Sequence, residues 1–378
     1  MATLRLLVIV SGDFGELGAA RYFLQGLDLA VPPRVLVPRS LAGTVPTGAA
    51  TQCQVYDGLV ELQRLIHEFS PDTVLLTSGY LLAVNSDLRL RDVFKLVSGL
   101  QRLRVTLLTS DPFLGARPNP ARLAWADMRQ RDRRDAFMGA CVLHPLAWLL
   151  RNAWHLYPAS IEALPTRTKR RCLAYFNPLA QPIASEAHGE PPTWLFVLSA
   201  LDHRIQQSLA RAQGGDFAGR LATRLRECAT LGRQAVLIGP RALVRELQQQ
   251  LAACHGISLR SEVPQAVYLQ DLMAAEYAFF WNTLSFSILH RALAERPVFF
   301  FDDGHLARIY PSVWAAGRTL FYRGWQPPLL SLDQPMDERA LSVHAADTRH
   351  AFRRIGLALR QAPSPAEVLR FAIDQPRA

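Results

Sequence analysis

Short runs of mainly apolar residues alternate along the chain with stretches of helical spacing. In the first half the apolar runs are residues 4–10, 34–37, 73–77 and 105–108, and the helical stretches are residues 18–29, 59–69 and 88–100. A strand with one face in water alternates apolar and polar residues, whereas these runs are continuous and therefore suit burial on both faces. The pattern predicts a parallel sheet covered by helices.

The second half of the chain repeats the same alternation. Its predicted strands are residues 193–198, 235–238, 257–260, 277–281 and 297–301, and its predicted helices are residues 217–231, 242–253, 266–274 and 285–295. Strands that alternate with helices favour a doubly wound parallel sheet. We therefore expect an α/β protein with two Rossmann-like domains that face each other across a cleft.

The regular pattern is lost between residues 164 and 192, in a stretch rich in proline, threonine and arginine. Such a stretch is typical of a domain boundary. The length of 378 residues also favours two domains, because single hydrophobic cores stop growing at about 250–300 residues. We predict an N-terminal domain at residues 1–175, a linker at 176–192, a second domain at 193–360 and a closing helix at 361–378. A capping box with proline at the first helical position, Ser364-Pro365-Ala366-Glu367, predicts the start of that helix.

Charge and cysteine content narrow the expected partners. The chain has 42 Lys and Arg against 32 Asp and Glu, a formal charge of +10. Aromatic residues are not interleaved with the basic stretches, so nucleic acid is not expected, whereas an anionic small molecule or peripheral contact with a membrane surface suits the charge. No apolar run reaches about 18 residues, and residues 1–10 lead into a loop that lacks a signal-peptide cleavage site. The five cysteines form no C-x-x-C pair, so we expect a cytoplasmic protein with reduced thiols.

The loop that follows the first predicted strand carries two acids. Its glycines, Gly12, Gly15 and Gly18, do not follow the G-x-G-x-x-G order of a dinucleotide site, and the acids would repel a pyrophosphate. Asp13 or Glu16 is a candidate general base that takes a proton from an acceptor hydroxyl. Alternatively, both acids only stabilise the start of the following helix. A weaker alternative base is Asp111, which follows the strand at 105–108.

The most informative stretch of the sequence is residues 263–305. It combines two helical segments, two apolar strands and two polar turns, and the polar turns follow the strands directly. In chain order its features are Pro264-Gln265, a helix at 268–275, a buried strand at 278–281, the turn Asn282-Thr283-Leu284-Ser285, a helix that contains His290, a strand opened by Pro297, and Asp302-Asp303-Gly304-His305.

This order resembles the C-terminal half of nucleotide-sugar glycosyltransferases with the GT-B fold. The resemblance implies that a nucleotide sugar is the co-substrate and that neither a metal nor another cofactor is needed. Hydroxyl groups and free amides at the start of a helix also suit an anionic diphosphate on physical grounds. By position, the resemblance implies Pro264 and Gln265 at the base, Asn282, Thr283 and Ser285 at the diphosphate, His290 at the usual ribose-binding position, and Asp302 and Asp303 near the sugar.

Each of these residues also has a purely structural explanation. Ser285 would serve equally well as an ordinary helix N-cap, and His290 as a histidine of the core. Asp302, Asp303 and His305 have ligand types that suit a divalent metal, but an ordinary turn explains the Asp-Asp-Gly sequence more simply.

Three functions follow from these patterns. The first is an inverting, metal-independent glycosyltransferase that moves a sugar from a nucleotide diphosphate sugar to an acceptor hydroxyl or amine, as expected in bacterial biosynthesis. The second is a sugar-nucleotide 2-epimerase of the same fold. The third is a catalytically degenerate member that serves as a partner or scaffold in a biosynthetic complex, since glycine-rich turns usual in the family are replaced here.

Overall fold

The computed structural model describes residues 4–12, 14–44, 52–85, 88–111, 113–116, 139–159, 171–180, 191–261 and 263–375. The chain divides into two compact units. The first unit comprises Met1–Gln181, Leu306–Gly324 and Leu357–Ala378, and the second comprises Pro182–His305 and Trp325–Gly356. The segment Leu306–Gly324, which the sequence places in the second domain, therefore clusters with the first unit.

The first unit contains a seven-stranded sheet in which every pair of neighbouring strands is parallel. Its strands are β1 (Leu6–Ile9), β2 (Arg34–Pro38), β3 (Gln52–Tyr56), β4 (Thr73–Leu76), β5 (Thr106–Thr109), β6 (Trp154–Tyr157) and β7 (Cys172–Ala174), in the spatial order β3-β2-β1-β4-β5-β6-β7. All residues of β1, β4 and β5 are buried, as their continuous apolar sequences predict.

The second unit contains a five-stranded parallel sheet. Its strands are β8 (Thr193–Val197), β9 (Gln234–Ile238), β10 (Ile257–Arg260), β11 (Tyr277–Phe280) and β12 (Val298–Phe300), in the order β10-β9-β8-β11-β12. An aromatic core fills one side of this sheet, where Phe279 stacks on Phe196 with ring centroids 4.6 Å apart. Two doubly wound parallel sheets confirm the predicted fold class.

Helices connect the strands of both sheets. They are α1 (Phe14–Leu24), α2 (Gly58–Phe69), α3 (Gly79–Asn85), α4 (Leu90–Arg102), α5 (His144–Leu149), α6 (Ala200–Ala212), α7 (Phe217–Thr230), α8 (Arg241–Leu251), α9 (Gln265–Ala274), α10 (Ser287–Leu293), α11 (His305–Ile309), α12 (Pro311–Tyr322), α13 (Glu338–Leu359) and α14 (Pro365–Asp374). Among the described residues, none of these helices has the length and apolar character needed to span a membrane.

Local sequence signals fix some helix ends and leave others to packing. The predicted capping box is confirmed, because the Ser364 side chain accepts a hydrogen bond from the Glu367 amide while Glu367 accepts one from the Ser364 amide. The predicted helix at 18–29 is wrong in its limits, since α1 covers Phe14–Leu24 and a turn with Gly26 in the left-handed region follows it. Helix α6 was not predicted at all.

A buried arginine holds the second unit together at the amino ends of its strands. Arg291 of α10 is fully buried, and its guanidinium donates to four main-chain carbonyl oxygens. The acceptors belong to the last turn of α9, to the residue before β11 and to the residue before β12: Leu272 at 2.9 Å, Ala275 at 2.7 Å, Glu276 at 3.0 Å and Pro297 at 2.6 Å. The positive charge of the Arg291 guanidinium is thus stabilised by carbonyl dipoles at the end of α9 and not by a carboxylate.

We expect Arg291→Met to lower the free energy of unfolding of the second unit by about 3 kcal/mol or more. The variant would leave several buried carbonyl groups without donors, and each such group costs about 1–3 kcal/mol. The matched control is Arg353→Met, because Arg353 pairs with Glu295 at 3.0 Å on the surface, where an ion pair contributes at most about 1 kcal/mol. Urea denaturation measures both changes. Equal losses in the two variants would contradict the role of Arg291.

Candidate functional site

The strand order of the second unit defines where a ligand is expected. From β8 the chain winds outward to β9 and β10 and then crosses back to β11 and β12 on the other side of β8. The connection reverses direction between β8 and β11. In open parallel sheets, ligands bind beyond the carboxyl ends of the strands at such a switch point. The residues that follow β8, β11 and β12 are therefore the candidate site of this unit.

The loops that follow β11 and β12 contact each other closely. Phe280 pairs with Phe300, so Asn282 and Asp302 each lie two residues beyond the paired ends. The Thr283 hydroxyl donates to the main-chain oxygen of Asp303 at 3.1 Å, and the Thr283 side chain is fully buried. Thr283 thus joins the two loops, and its hydroxyl is already engaged by the main chain.

Gly304 allows this close approach. It has a φ of +90°, and a Cβ atom placed on it would lie 2.7 Å from Oδ1 of Asn282 and 3.1 Å from the Asn282 Cα atom. The Asn282 side chain in turn accepts a hydrogen bond from the Leu284 amide at 2.9 Å. Asn282 therefore shapes the turn, and only glycine fits opposite it without displacing main-chain atoms.

The turn at Ser285 leads into a short helix. The predicted helix at 285–295 is longer than the observed one, since α10 covers Ser287–Leu293 and Phe286 occupies its N-cap position. Ser285 is half-buried, and its main-chain oxygen accepts from the Ile288 amide at 3.1 Å. Ser287 accepts a hydrogen bond from the Tyr268 hydroxyl at 2.6 Å, which fastens α10 to α9.

His290 is a buried histidine of α10. It is 8% exposed, and its ring meets the edge of Phe286 at a centroid distance of 5.4 Å. Burial lowers its pKa from 6.5 to about 4, because the charged imidazolium is poorly solvated there. The imidazole is therefore neutral near pH 7.

The predicted base-contact residues lie at the start of α9. Pro264 is exposed and immediately precedes the helix, and its oxygen accepts from the Tyr268 amide at 2.9 Å. Gln265, the first residue of α9, is 3% exposed. Arg260 at the end of β10 pairs with Asp271 of α9 at 2.7 Å and so holds this helix beside the sheet.

Sequence reasoning missed the helix that follows β8. The sequence pattern predicts no helix between the strand at 193–198 and the helix at 217–231, but Ser199 caps α6 and its hydroxyl accepts from the Asp202 amide at 3.0 Å. The signal was present as Ser-x-x-Asp, a capping pattern. The first two turns of α6 place Asp202, His203 and Gln206 at the carboxyl edge of the sheet.

Side chains of α6 contact the loop that follows β12. Gln206 donates through its side-chain amide to Oδ2 of Asp302, and Oδ1 of Asp302 accepts from the Gly304 amide at 3.0 Å. Oδ1 of Asp202 lies 3.8 Å from Nδ1 of His305. Within the part of the chain that the structure describes, no group of three or more His, Cys, Asp or Glu residues is arranged to hold a metal ion.

The candidate general bases belong to the first unit. Asp13 lies outside the described residues. Glu16 is in the first turn of α1 and is half-buried. Burial raises the pKa of the fully buried Tyr175 well above its ordinary value, and the charges of Tyr22 and Glu16 contribute to that rise. Glu16 therefore lies near a buried phenol that is protonated at neutral pH.

Asp111, the weaker alternative base, has a structural role instead. It is fully buried after β5, and its carboxylate accepts from the Ser78 hydroxyl at 2.9 Å, from the Tyr80 amide at 2.8 Å and from the Thr109 hydroxyl. These contacts fix the start of α3 beside the neighbouring strand end. A carboxylate that is buried and satisfied in this way is not placed to take a proton from a substrate.

Comparisons with known proteins give the fold. No family profile matches the chain, and no curated protein sequence matches it significantly. Among solved structures, the chain is similar to the spinosyn forosaminyltransferase SpnP, with 12% identity, a TM-score of 0.56 and 99% and 100% of the two chains covered. It is similar to UGT2 of Phytolacca americana, with 11% identity, a TM-score of 0.54 and 97% and 98% coverage. It is also similar to the glycosyltransferase SnogD from Streptomyces nogalater, with 13% identity, a TM-score of 0.51 and 98% and 99% of the two chains covered.

These likenesses span nearly the whole chain and show its fold. The chain has the GT-B fold, the two-domain parallel-sheet architecture of nucleotide-sugar glycosyltransferases. At 11–13% identity, these likenesses establish the architecture, whereas the reaction depends on the residues of the site.

We expect Gly304→Ala to destabilise the second unit and to separate the loops after β11 and β12. Alanine is strained at φ +90°, and its methyl group would meet Asn282. Gly232→Ala is a matched control in the same unit, because Gly232 has a φ of +72° with no atom within 4 Å of an added Cβ. Alanine at 304 should cost at least about 1 kcal/mol more in unfolding free energy than alanine at 232. Equal costs would show that the loops do not constrain each other.

Burial of His290 predicts a loss of stability in acid. The unfolded chain takes up a proton near the ordinary pKa of 6.5, whereas the folded chain does so only near its lowered pKa of about 4. This contribution to stability is complete above pH 6.5 and falls as pH drops towards 4, by up to about 3 kcal/mol. His290→Leu should flatten urea-denaturation stability across that range, whereas exposed His67→Gln should not. An unchanged slope in His290→Leu would contradict the burial argument.

Proposed function

We propose that this protein is a glycosyltransferase that moves a sugar from a nucleotide diphosphate sugar to a hydroxyl or amine of an acceptor. Three structurally similar proteins support the proposal, since SnogD is named as a glycosyltransferase, SpnP is named as a forosaminyltransferase, and UGT2 was solved with UDP-2-fluoroglucose and pterostilbene. The rhamnosyltransferase SpnG, at 14% identity and a TM-score of 0.50, was solved with thymidine diphosphate. The five cysteines, none of which is in a disulfide, suit the reducing cytoplasm, where we place the reaction.

The observation that carries the proposal is the contact between the loops after β11 and β12, at the switch point of the second sheet. Thr283 and Gly304 hold these loops together, so that Ser285 and Asp303 emerge from one joined structure. Joined loops provide fixed donors and acceptors for a ligand, which is the arrangement that electrostatic catalysis requires.

We assign the donor to this edge of the second unit. Pro264 and Gln265 would contact the base, and the Ser285 hydroxyl with the amides that open α10 would bind the diphosphate. Asp303, half-buried beside Thr283, would accept from hydroxyl groups of the sugar. Because Thr283 and Asn282 are engaged within their own loop, we assign them positioning roles and no direct contact with phosphate. We also assign Asp302 a positioning role, because its carboxylate accepts hydrogen bonds from Gln206 and Gly304.

Transfer would proceed by direct displacement at the anomeric carbon. Glu16, or Asp13 three residues earlier in the sequence, would take the proton of the acceptor hydroxyl as its oxygen forms the new glycosidic bond. The bond to the nucleotide diphosphate breaks, and the electron pair leaves with the diphosphate. Neutral His290 could donate a hydrogen bond to the departing group, and Ser285 a second. Displacement in one step inverts the anomeric configuration and requires no metal.

The first experiment is a ligand panel. Melting temperatures are measured with uridine, thymidine, guanosine and cytidine diphosphate sugars, and products are analysed with and without candidate acceptors. A donor at a hundred times its Kd should stabilise the native protein by about 2.7 kcal/mol. Conversion of a donor without acceptor would instead identify an epimerase. If no donor stabilises the protein, the result would favour the third function, a catalytically degenerate partner or scaffold. That function is considered because the Thr283 and Asp302 side chains are engaged within the protein itself.

Two variants then separate binding from catalysis. Ser285→Ala should weaken the donor-induced stabilisation and lower turnover by about a hundredfold. Glu16→Gln should preserve donor stabilisation and lower turnover by about a hundredfold or more. Glu68→Gln, in an exposed pair with Arg64, is the matched control and should leave both unchanged. If Ser285→Ala and His290→Ala both leave donor affinity and turnover unchanged, the donor assignment is wrong.

A further inference from the structure

Arginines lie along one edge of the seven-stranded sheet. Arg5 precedes β1, Arg34 begins β2, and Arg104, Arg151 and Arg171 stand within three residues of the starts of β5, β6 and β7. Because all strands of this sheet are parallel, their amino ends share one edge. We call this edge of the first unit the arginine edge. It is opposite the carboxyl edge from which Glu16 follows β1.

Large apolar side chains are exposed at the same edge. Leu103 follows α4 and is 57% exposed, and Trp148 of α5 is 64% exposed. The Gln101 side-chain amide donates to the Leu149 oxygen at 2.7 Å, so the end of α4 lies against α5. Phe371 of α14 is 46% exposed and meets the ring of Trp154, the first residue of β6, at 5.5 Å. Three exposed apolar groups thus surround the starts of β5 and β6.

The cations beside these groups are available to a ligand. Arg102, Arg104 and Arg151 are exposed, and in the described parts of the chain none of them forms an ion pair. The Arg151 guanidinium lies 4.0 Å over the ring of Trp148, which joins a charge and an aromatic face in one exposed unit. By contrast, Arg5 is paired with Asp72 at 3.7 Å. The positive charge is therefore concentrated near Leu103 and Trp148.

We propose that the arginine edge docks on the surface of an anionic lipid bilayer. Tryptophan prefers the interface between headgroups and acyl chains, leucine inserts its side chain into the apolar layer, and arginines bind anionic headgroups. The proposed membrane docking is a property additional to glycosyl transfer and does not depend on it. Docking through this edge keeps the opposite edge of the first unit, with Glu16, directed away from the lipid.

Nucleic acid fits this surface less well. Leu103 offers a nucleic acid neither a hydrogen bond nor a stacking face, although it is among the most exposed apolar side chains. One face of Trp148 is covered by Arg151 and is closed to a stacked base. An aliphatic anchor beside a partly covered tryptophan is typical of a membrane interface.

The test is cosedimentation of the full chain with vesicles of phosphatidylcholine alone or with about one quarter phosphatidylglycerol. We expect binding to the anionic vesicles at low salt, at least about tenfold weaker binding in 0.5 M salt, and little binding to neutral vesicles. Equal binding to both vesicles, or binding to neither, would overturn the proposal. The assay needs no nucleotide sugar, so its result is independent of the glycosyltransferase test.

Variants locate the docking surface. Trp148→Ala and Leu103→Ser should each weaken anionic-vesicle binding by about tenfold, and Arg104→Gln by about fivefold. The control is Val60→Ser, because Val60 is 83% exposed on α2, near the carboxyl ends of the strands, and should bind as the unchanged protein does. Circular dichroism checks that each variant is folded. Wild-type binding by both Trp148→Ala and Leu103→Ser would exclude this surface, and displacement of vesicles by duplex DNA would identify nucleic acid instead.

Discussion

The second unit depends on a charge buried without a carboxylate. Arg291 binds four main-chain oxygens and so connects the last turn of α9 with the residues that precede β11 and β12. An unpaired charge in a protein interior is costly, and here the ends of peptide dipoles offset that cost. By fixing where these two strands begin, Arg291 also fixes where they end. The contact between Thr283 and Asp303 at the opposite edge requires that register.

The candidate donor site contains acidic side chains although its proposed ligand is an anion. Asp202 and Asp302 lie at the carboxyl edge of the second sheet, yet both accept hydrogen bonds from groups of the protein itself. Gln206 and Gly304 reduce the charge that Asp302 presents to a ligand. Affinity for a diphosphate would therefore come from amides and hydroxyl groups, which bind an anion without a large positive charge. The chain has a net charge of +10, and a cluster of its positive side chains lies at the arginine edge of the first unit.

The parallel sheet of the first unit separates two kinds of surface. Its carboxyl edge carries a half-buried acid, Glu16, near a protonated Tyr175. Its amino edge carries arginines with exposed Leu103 and Trp148. Parallel strands place all their amino ends together, so residues far apart in sequence form one surface. The proposed proton transfer at Glu16 and the proposed docking on a membrane would thus use opposite edges of one unit.

The sequence by itself determined the two parallel sheets, because continuous apolar runs such as β1 and β4 can be buried only between layers of helices. It also determined the start of α14, since the Ser364 capping box is a local interaction. Helix α6 begins at a similar local signal, since the Ser199 side chain accepts from the Asp202 amide. Only the tertiary structure decided that the Thr283 hydroxyl faces the main chain of Asp303 and that Trp148 lies at the arginine edge. Both depend on which strands become neighbours, and strand order arises from packing between distant segments rather than from any local pattern.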